Sequence, residues 1–269
     1  MHKEIVSLQN SLIKELVLLK EKSRIRRVKG SFLLEGLREI ELATIGNYAI
    51  ENIFYCLDII SLECIQNMQT RLPDSVCFIK VNKDVYQKIA YRKTTEGVIA
   101  VVISKSHSLK DILFKRKTPL ILIAEAPEKP GNIGALLRTA DAANIDAVFI
   151  ANPKTDLYNP NIIRSSVGCL FTTQIATGST AEILNYLKDH NINSYAAVLK
   201  ENSELYQNQD FTNSSAIVVG TEATGLSEEW LQGATKKIII PMNGKIDSMN
   251  VSVAASILIF EASRQRNFQ

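Results

Sequence analysis

The sequence predicts an α/β protein built as two layered units. Three observations carry this. Short apolar runs alternate with segments of helical spacing, twice along the chain. A polar, basic stretch of weak periodicity, SKSHSLKDILFKRKT (104–118), separates the two series. The 269 residues, 46% of them hydrophobic, exceed one average domain of roughly 100–200 and can fill two cores. The expected division is a domain at 1–103, a linker at 104–118 and a second domain at 119–269.

The elements follow in order. Leu12, Ile13, Leu16 and Leu19 share one helical face, which predicts a helix over 9–27 that Gly30 ends. Strand 31–36, helix 37–44, strand 51–57, helix 61–69, strand 75–81, helix 83–90 and strand 97–103 complete the first series. After Pro119, strand 120–126 leads through PEKPGN into helix 133–144. Strand 147–151, a helical stretch at 161–167, strand 172–176, helix 181–189 and strands 194–199 and 216–220 come next. A short helix at 227–232, strand 236–242 and a terminal helix over about 250–266 close the chain. The second series of strands is apolar throughout, as in a parallel sheet covered on both faces.

Composition excludes several classes. The longest apolar runs, LILIA and SILIF, fall short of the ~20 residues that span a bilayer. MHKEIVSLQN has no apolar stretch, so no secretory leader is expected. Cys56, Cys64, Cys77 and Cys169 have no metal-site spacing, so no metal and a reduced, cytoplasmic setting are expected. The net charge of +3 is unevenly spread. Residues 1–110 hold 17 basic against 12 acidic residues, and residues 111–269 hold 14 against 16. Lys22, Arg24, Arg26 and Arg27 therefore read as contacts for a polyanion. A solvated basic helix face, favoured in part by the helix dipole, is the competing reading.

The common catalytic signatures are missing. No GxGxxG follows a strand, and GTEATGLS (220–227) has Leu226 where a phosphate-binding loop needs Lys. His2, His107 and His190 sit in no motif with Ser or Cys. Three segments remain, each at the C-terminal end of a predicted strand, where open α/β sheets bind ligands. In EKPGNIGALLRTADAANI (128–145), Asn132 can cap the helix, and Arg138 lies nearly two turns on, able to face the same pocket. In AIVVGTEATGLSEEW (216–230), Gly220 ends a strand and Glu222 sits in a Gly-rich turn. Ser227 can cap the next helix, with Trp230 packed below. In IIIPMNGKIDSMNVSVAASILIFEASRQR (238–266), Ser248 and Asn250 open a helix rich in small residues. Taken singly, each segment also reads as ordinary caps, solvated charges and packing.

Taken together, NxGxxxRTA (132–140), GxExxGL (220–226) and IPMxGxxxSxNVSVAA (240–255) resemble the SpoU/TrmH-type RNA 2′-O-ribose methyltransferases of the SPOUT superfamily. SLQNSLIKELVLLKEKSRIRRVKGSFLLEG (7–36) is similar to that family's substrate-binding domain. The resemblance implies a C-terminal parallel-sheet domain with a deep trefoil knot. Before it, the family has a small α/β domain like the kink-turn-binding ribosomal proteins. It implies a homodimer and S-adenosyl-L-methionine as cofactor, with Gly220, Ile240, Met242, Met249 and Asn250 as its contacts. It implies Arg138, Asn132, Glu222, Ser248 and Asn250 as catalytic residues, with Glu222 fixing Arg138, and it adds Arg138 to the RNA contacts. The expected substrate is ribosomal RNA, that of the large subunit. Transfer RNA is the alternative, and so is a non-catalytic RNA-binding paralogue. Two departures stand out: Met249 where the family has Leu, and Ser256 where it commonly has Gly.

Overall fold

The computed structural model describes residues 3–92, 95–199, 203–221, 224–246 and 248–268. The chain forms two compact units. One holds residues 1–105 together with Asp156–Arg164, and the other holds 106–155 and 165–269.

The first unit contains β1 (Lys3–Ile5), α1 (Ser11–Glu21), α2 (Ser23–Lys29), β2 (Ser31–Glu35), α3 (Leu37–Ile45), β3 (Ile50–Tyr55), α4 (Leu62–Gln69), β4 (Cys77–Val81), α5 (Lys83–Ile89) and β5 (Val98–Ile103). Its five strands make one mixed sheet, β1-β4-β3-β5-β2. The pairs of β4 are parallel and those of β5 antiparallel. Ile13, Leu16 and Leu19 bury the apolar face of α1 against this sheet, together with Phe54, Ile79 and Ile99. Strand β1 is too short to show a period in the sequence.

The predicted helix over 9–27 is in fact two. Lys22 adopts an extended conformation (φ −117°, ψ 112°) between α1 and α2. Neither Gly nor Pro marks the break. Its physical reason is Arg26, whose guanidinium turns back to donate to the carbonyls of Leu19 (2.7 Å) and Lys20 (3.1 Å). Those are last-turn carbonyls of α1, which lack helical partners of their own. Arg26 Nε also pairs with Asp156 at 2.5 Å, and the side chain is 4% exposed. Arg26 is therefore removed from the RNA-contacting set. Lys22, Arg24 and Arg27 stay exposed. Gly30 does end α2, in the left-handed region at φ 63°.

Asp156–Arg164 packs with the first unit although it follows a strand of the second. Tyr158 stacks on Phe32, with ring centroids 4.2 Å apart and planes at 17°. Its hydroxyl accepts from the Lys105 amide at 2.8 Å.

The second unit is built on β6 (Leu120–Glu125), α6 (Pro130–Ala142), β7 (Ala147–Ala151), α7 (Pro160–Ser166, whose first residues belong to the first unit), α8 (Cys169–Thr172), β8 (Ile175–Gly178), α9 (Thr180–Asp189), β9 (Asn193–Ala197), β10 (Glu204–Leu205), β11 (Ser215–Val219), α10 (Glu228–Gly233), β12 (Lys236–Ile239) and α11 (Val251–Gln265). The seven strands form a parallel sheet in the order β10-β12-β9-β11-β6-β7-β8. Every residue of β6, β7 and β11 is buried, so both faces of the sheet centre are covered. Strand β11 enters between β9 and β6, which brings the C-terminal ends of β6 and β11 side by side. The predicted strand at 172–176 begins only at Ile175, because Cys169–Thr172 closes as a short helix first.

Candidate active site

The C-terminal edge of β6 and β11 carries a cavity of about 190 Å³. Ala124 and Pro127 line it from the end of β6, Asn132 and Leu136 from α6, Gly220 and Thr221 from the loop after β11, and Val251 from α11. The helices α6 and α11 are joined at two levels. Asn250 Nδ2 donates to Asn132 Oδ1 at 3.2 Å, and the hydroxyls of Thr139 and Ser256 lie 2.8 Å apart. Ser256 thus fills the place of the family's Gly with a hydrogen bond across the helix pair. It also donates to Ser252 O at 2.7 Å.

Asn132 is not the cap of α6. Pro130 occupies the first turn, Lys129 is the capping residue and Asn132 lies inside the helix. Proline's fixed φ suits the first helical position and starts the helix earlier than its apolar pattern does. Asn132 and Arg138 do not face one pocket either. Six residues place them about 120° apart around a helix. Leu136 lines the cavity in Arg138's stead, and Arg138 is exposed. Gly134 meets α7: a Cβ there would lie 2.0 Å from Ser165 Oγ and 2.7 Å from its carbonyl carbon.

Asn250 is the true N-cap of α11, its side chain accepting from the Ser252 amide at 2.9 Å. Ser248 is exposed, and Ile240, Met242 and Met249 are half-buried. None of these four lines the cavity. Of the expected cofactor contacts, Gly220 alone does, with Asn250 one hydrogen bond away through Asn132. Glu222, and with it the expected Glu222–Arg138 bond, lies outside the described residues.

The loop after β11 is closed on itself. Thr221 and Gly225 exchange two backbone hydrogen bonds of 3.1 Å. A Cβ on Gly220 would lie 2.3 Å from the Gly225 carbonyl carbon and 2.5 Å from the Leu226 amide nitrogen. Only a bare α-carbon admits this approach.

A buried acid next to the cavity-lining Ala124 also lies outside the three motifs. Glu125 ends the apolar strand β6 and is 4% exposed. Its carboxylate accepts from the Ser227 amide (2.8 Å), the Ser227 hydroxyl (2.7 Å) and the Thr180 hydroxyl (3.0 Å). Ser227 therefore spends its hydroxyl on Glu125 and does not cap α10 with it. The bonds fasten the exit of the 220–226 loop to the central strand. The sequence does carry a signal for it, an acid closing an otherwise apolar strand. Glu125→Leu leaves the Ser227 amide and the buried Thr180 hydroxyl without their acceptor, at a cost of about 1–3 kcal/mol. Glu125→Gln keeps an acceptor for that amide and offers its NH₂ to the two hydroxyls. Urea unfolding should show the Leu variant clearly less stable and the Gln variant close to the parent. Equal losses would contradict this anchoring role.

The cavity suits a nucleoside-sized cofactor. Gly220 offers its backbone at close range, and Ala124, Leu136 and Val251 offer apolar surface. Glu128 and Lys129 add one charge of each sign to the lining. These residues fit S-adenosylmethionine.

The comparisons with known proteins agree with this geometry. The model of the SpoU rRNA Methylase family matches residues 119–260, more than half of the chain and all of the cavity lining. The chain belongs to the SpoU rRNA methylase family. Residues 10–100 match an MRM3-like substrate binding domain. Over 263 residues the chain is 27% identical to the Bacillus subtilis 23S rRNA (guanosine(2553)-2′-O)-methyltransferase RlmP, covering 96% of this chain and 98% of that one. The Thermus thermophilus tRNA (guanosine(18)-2′-O)-methyltransferase is 33% identical over 164 residues, 61% of this chain and 84% of that one. The solved structure of the SpoU methyltransferase AviRb from Streptomyces viridochromogenes, in complex with AdoMet, superposes with a TM-score of 0.86. It is 25% identical, over 96% of this chain and 99% of that one. Both the parallel seven-stranded sheet and the separate N-terminal unit are thus those of SpoU enzymes, and the strand order is consistent with their knotted sheet.

Proposed function

We propose that this SpoU protein methylates a ribose 2′-hydroxyl in ribosomal RNA of the large subunit, using S-adenosylmethionine. The observation that carries the reading is the cavity where Gly220 and the Asn132–Asn250 pair meet beside β6 and β11. Ribosomal RNA is favoured over transfer RNA by the extent of the matches. The Bacillus subtilis relative matches both units, whereas the Thermus thermophilus tRNA enzyme matches 61% of the chain. Residues 1–103 serve as the RNA substrate domain and 119–269 as the catalytic domain, in a cytoplasmic homodimer. Val253 and Phe260, seven residues apart on α11 and 50% and 40% exposed, give that dimer an apolar face to cover.

The cofactor supplies an electrophilic methyl group. The chain's task is to place a poor nucleophile, the ribose hydroxyl, beside it and to ease loss of its proton. Asn132, held by Asn250, presents amide groups that orient the ribose. Arg138 is exposed and makes no side-chain hydrogen bond or ion pair among the described residues, so its planar fork is available to an RNA phosphate. A guanidinium, with a pKa above about 12, is a poor base. Arg138 therefore orients an RNA phosphate outside the cavity, and the phosphate helps to take the proton. Ser248 and Glu222 complete this set as substrate-positioning groups. Arg138→Lys keeps the charge and loses the fork. Near-normal turnover in that variant, with RNA binding intact, would overturn this role.

Replacing Lys22, Arg24 and Arg27 by Gln should weaken RNA binding and flatten its salt dependence. The slope should fall by about 0.7–0.9 for each phosphate no longer neutralised. Cofactor affinity should not move. An unchanged slope would remove α1 and α2 from the RNA interface. The decisive experiment maps 2′-O-methyl positions in total RNA from a deletion strain and its parent. Loss of one ribosomal position supports the reading, and loss confined to transfer RNA overturns the substrate assignment.

A further inference from the structure

The Asn132–Asn250 bond at the cavity is one end of a longer seam of hydrogen bonds between α6 and α11. Asn250 Oδ1 accepts from the Ser252 amide at 2.9 Å and from the Ser252 hydroxyl at 2.6 Å. The Ser252 carbonyl accepts from the Ser256 hydroxyl at 2.7 Å, and that hydroxyl lies 2.8 Å from the hydroxyl of Thr139. Asn132 and Thr139 are two turns apart on α6, so they share one face. The ties ascend together on both helices, from Asn132–Asn250 to Thr139–Ser256. The two helices therefore run side by side in one direction, joined at levels about 10 Å apart.

The seam has a fixed polarity. A carbonyl oxygen can only accept, so Ser256 gives its proton to Ser252 O and takes that of Thr139. A backbone amide can only donate, so the Ser252 amide holds Asn250 with Oδ1 toward α11 and Nδ2 toward α6. Asn132 must then present its Oδ1 to Asn250. The side-chain nitrogen of Asn132 sits on the other branch of the amide and can only donate. A substrate atom met through that nitrogen is an acceptor, such as a ribose oxygen.

One tie alone leaves α6 able to pivot about it, and a second tie two turns along removes that freedom. Asn132 lines the cavity at the first level. Arg138 precedes Thr139 at the second level and leaves α6 about 100° round from it. The second tie thus bears on the direction of both side chains.

We propose that Ser256 and Thr139 are positioning residues for methyl transfer. Their hydroxyl bond locks α6 against α11, so that Asn132 turns its donor end to the ribose and Arg138 leaves the helix toward the phosphate. Neither residue lines the cavity, so both act through α6. Ser256 supplies its hydroxyl where the family commonly has Gly. The proposal rests on ribose methylation being the reaction.

Steady-state methyl transfer to ribosomal RNA by the full-length protein tests this, with Ser256→Ala, Thr139→Val and the double variant. Each single change should lower kcat about three- to tenfold, the worth of one hydrogen bond. The double variant should lose no more than the worse single, because both changes remove the same bond. Ser256→Thr, which keeps the hydroxyl, should restore most of the lost turnover. The Kd for S-adenosylmethionine, measured by calorimetry without RNA, should stay within about twofold of the parent, because the Asn132–Asn250 tie and the cavity lining are retained. Urea midpoints should also stay close to the parent, since Ala is a better helix former than Ser and offsets part of the lost bond. Parental kcat in Ser256→Ala and Thr139→Val would overturn the proposal, as would losses that add in the double variant. A cofactor Kd that weakens in step with kcat would also overturn it, by placing the effect on the cavity. Absence of methyl transfer by the parent itself would overturn the reaction assigned above, and this positioning role with it.

Discussion

Gly220→Ala should abolish S-adenosylmethionine binding and leave the N-terminal unit folded. The added Cβ would fall 2.3 Å from the carbonyl carbon of Gly225, 2.4 Å from its oxygen and 2.5 Å from the Leu226 nitrogen. All three are backbone atoms, so no side chain can swing aside to make room. The Thr221–Gly225 bridge holds that backbone in place from the other side. The backbone at Gly220 must therefore shift, and Gly220 and Thr221 line the cavity. Overpacking of this kind costs about 1–3 kcal/mol or more. Titration calorimetry should show at least about a hundredfold loss of cofactor affinity. Gly225→Ala makes an instructive contrast. No atom lies within 4 Å of its added Cβ, but Gly225 sits at φ +69°. That substitution costs roughly 1–2 kcal/mol of backbone strain and no collision. It should weaken binding less than Gly220→Ala. A Gly220→Ala protein with parental affinity would show that the loop does not shape the cofactor site.

Arg26→Ala should be among the most destabilising substitutions in the first unit. Breaking a buried ion pair from one side costs about 3–5 kcal/mol, because the other charge is left without compensation. Here the partner, Asp156, is 17% exposed, so the lower part of that range is expected. The loss reaches further than the pair, since Arg26 also closes the C-terminal carbonyls of α1. Arg26→Lys should recover little. One ammonium cannot reproduce a fork that meets a carboxylate through Nε and two carbonyls through a terminal nitrogen. Urea unfolding followed by circular dichroism measures the loss. An Arg26→Ala protein as stable as its parent, but weak in RNA binding, would return this residue to the RNA interface.

The contrast between Arg26 and its neighbours shows where sequence reading stops. The cluster Lys22, Arg24, Arg26 and Arg27 carries one charge per residue and no mark of which member turns inward. The partner that decides it, Asp156, lies 130 residues away. The same holds for Asn132. Its helix is legible from the apolar spacing, but its place inside the helix depends on how early Pro130 starts α6. Local chemistry favours Ser227 as a cap, and Glu125, 102 residues upstream, takes its hydroxyl instead. By contrast, β6, β7 and β11 are legible almost to the residue. A strand buried on both faces must be apolar along its whole length, and that pattern needs no distant partner. Helix α9 is equally plain, with a capping box of Ser179 and Glu182 written within one turn of sequence. Local rules thus locate the elements, and long-range pairing decides what the polar side chains on them do.

The most direct test of the central claim is methyl transfer to ribosomal RNA isolated from a strain that lacks this protein, using S-adenosylmethionine labelled in its methyl group. A methyl on the 2′-oxygen blocks alkaline cleavage of the adjoining phosphodiester, so the product carries its own chemical signature. The expected result is label in alkali-stable dinucleotides of large-subunit RNA, lost in the Gly220→Ala protein. Label that migrates with single nucleotides after alkali would place the methyl on a base and contradict the account, as would no transfer at all.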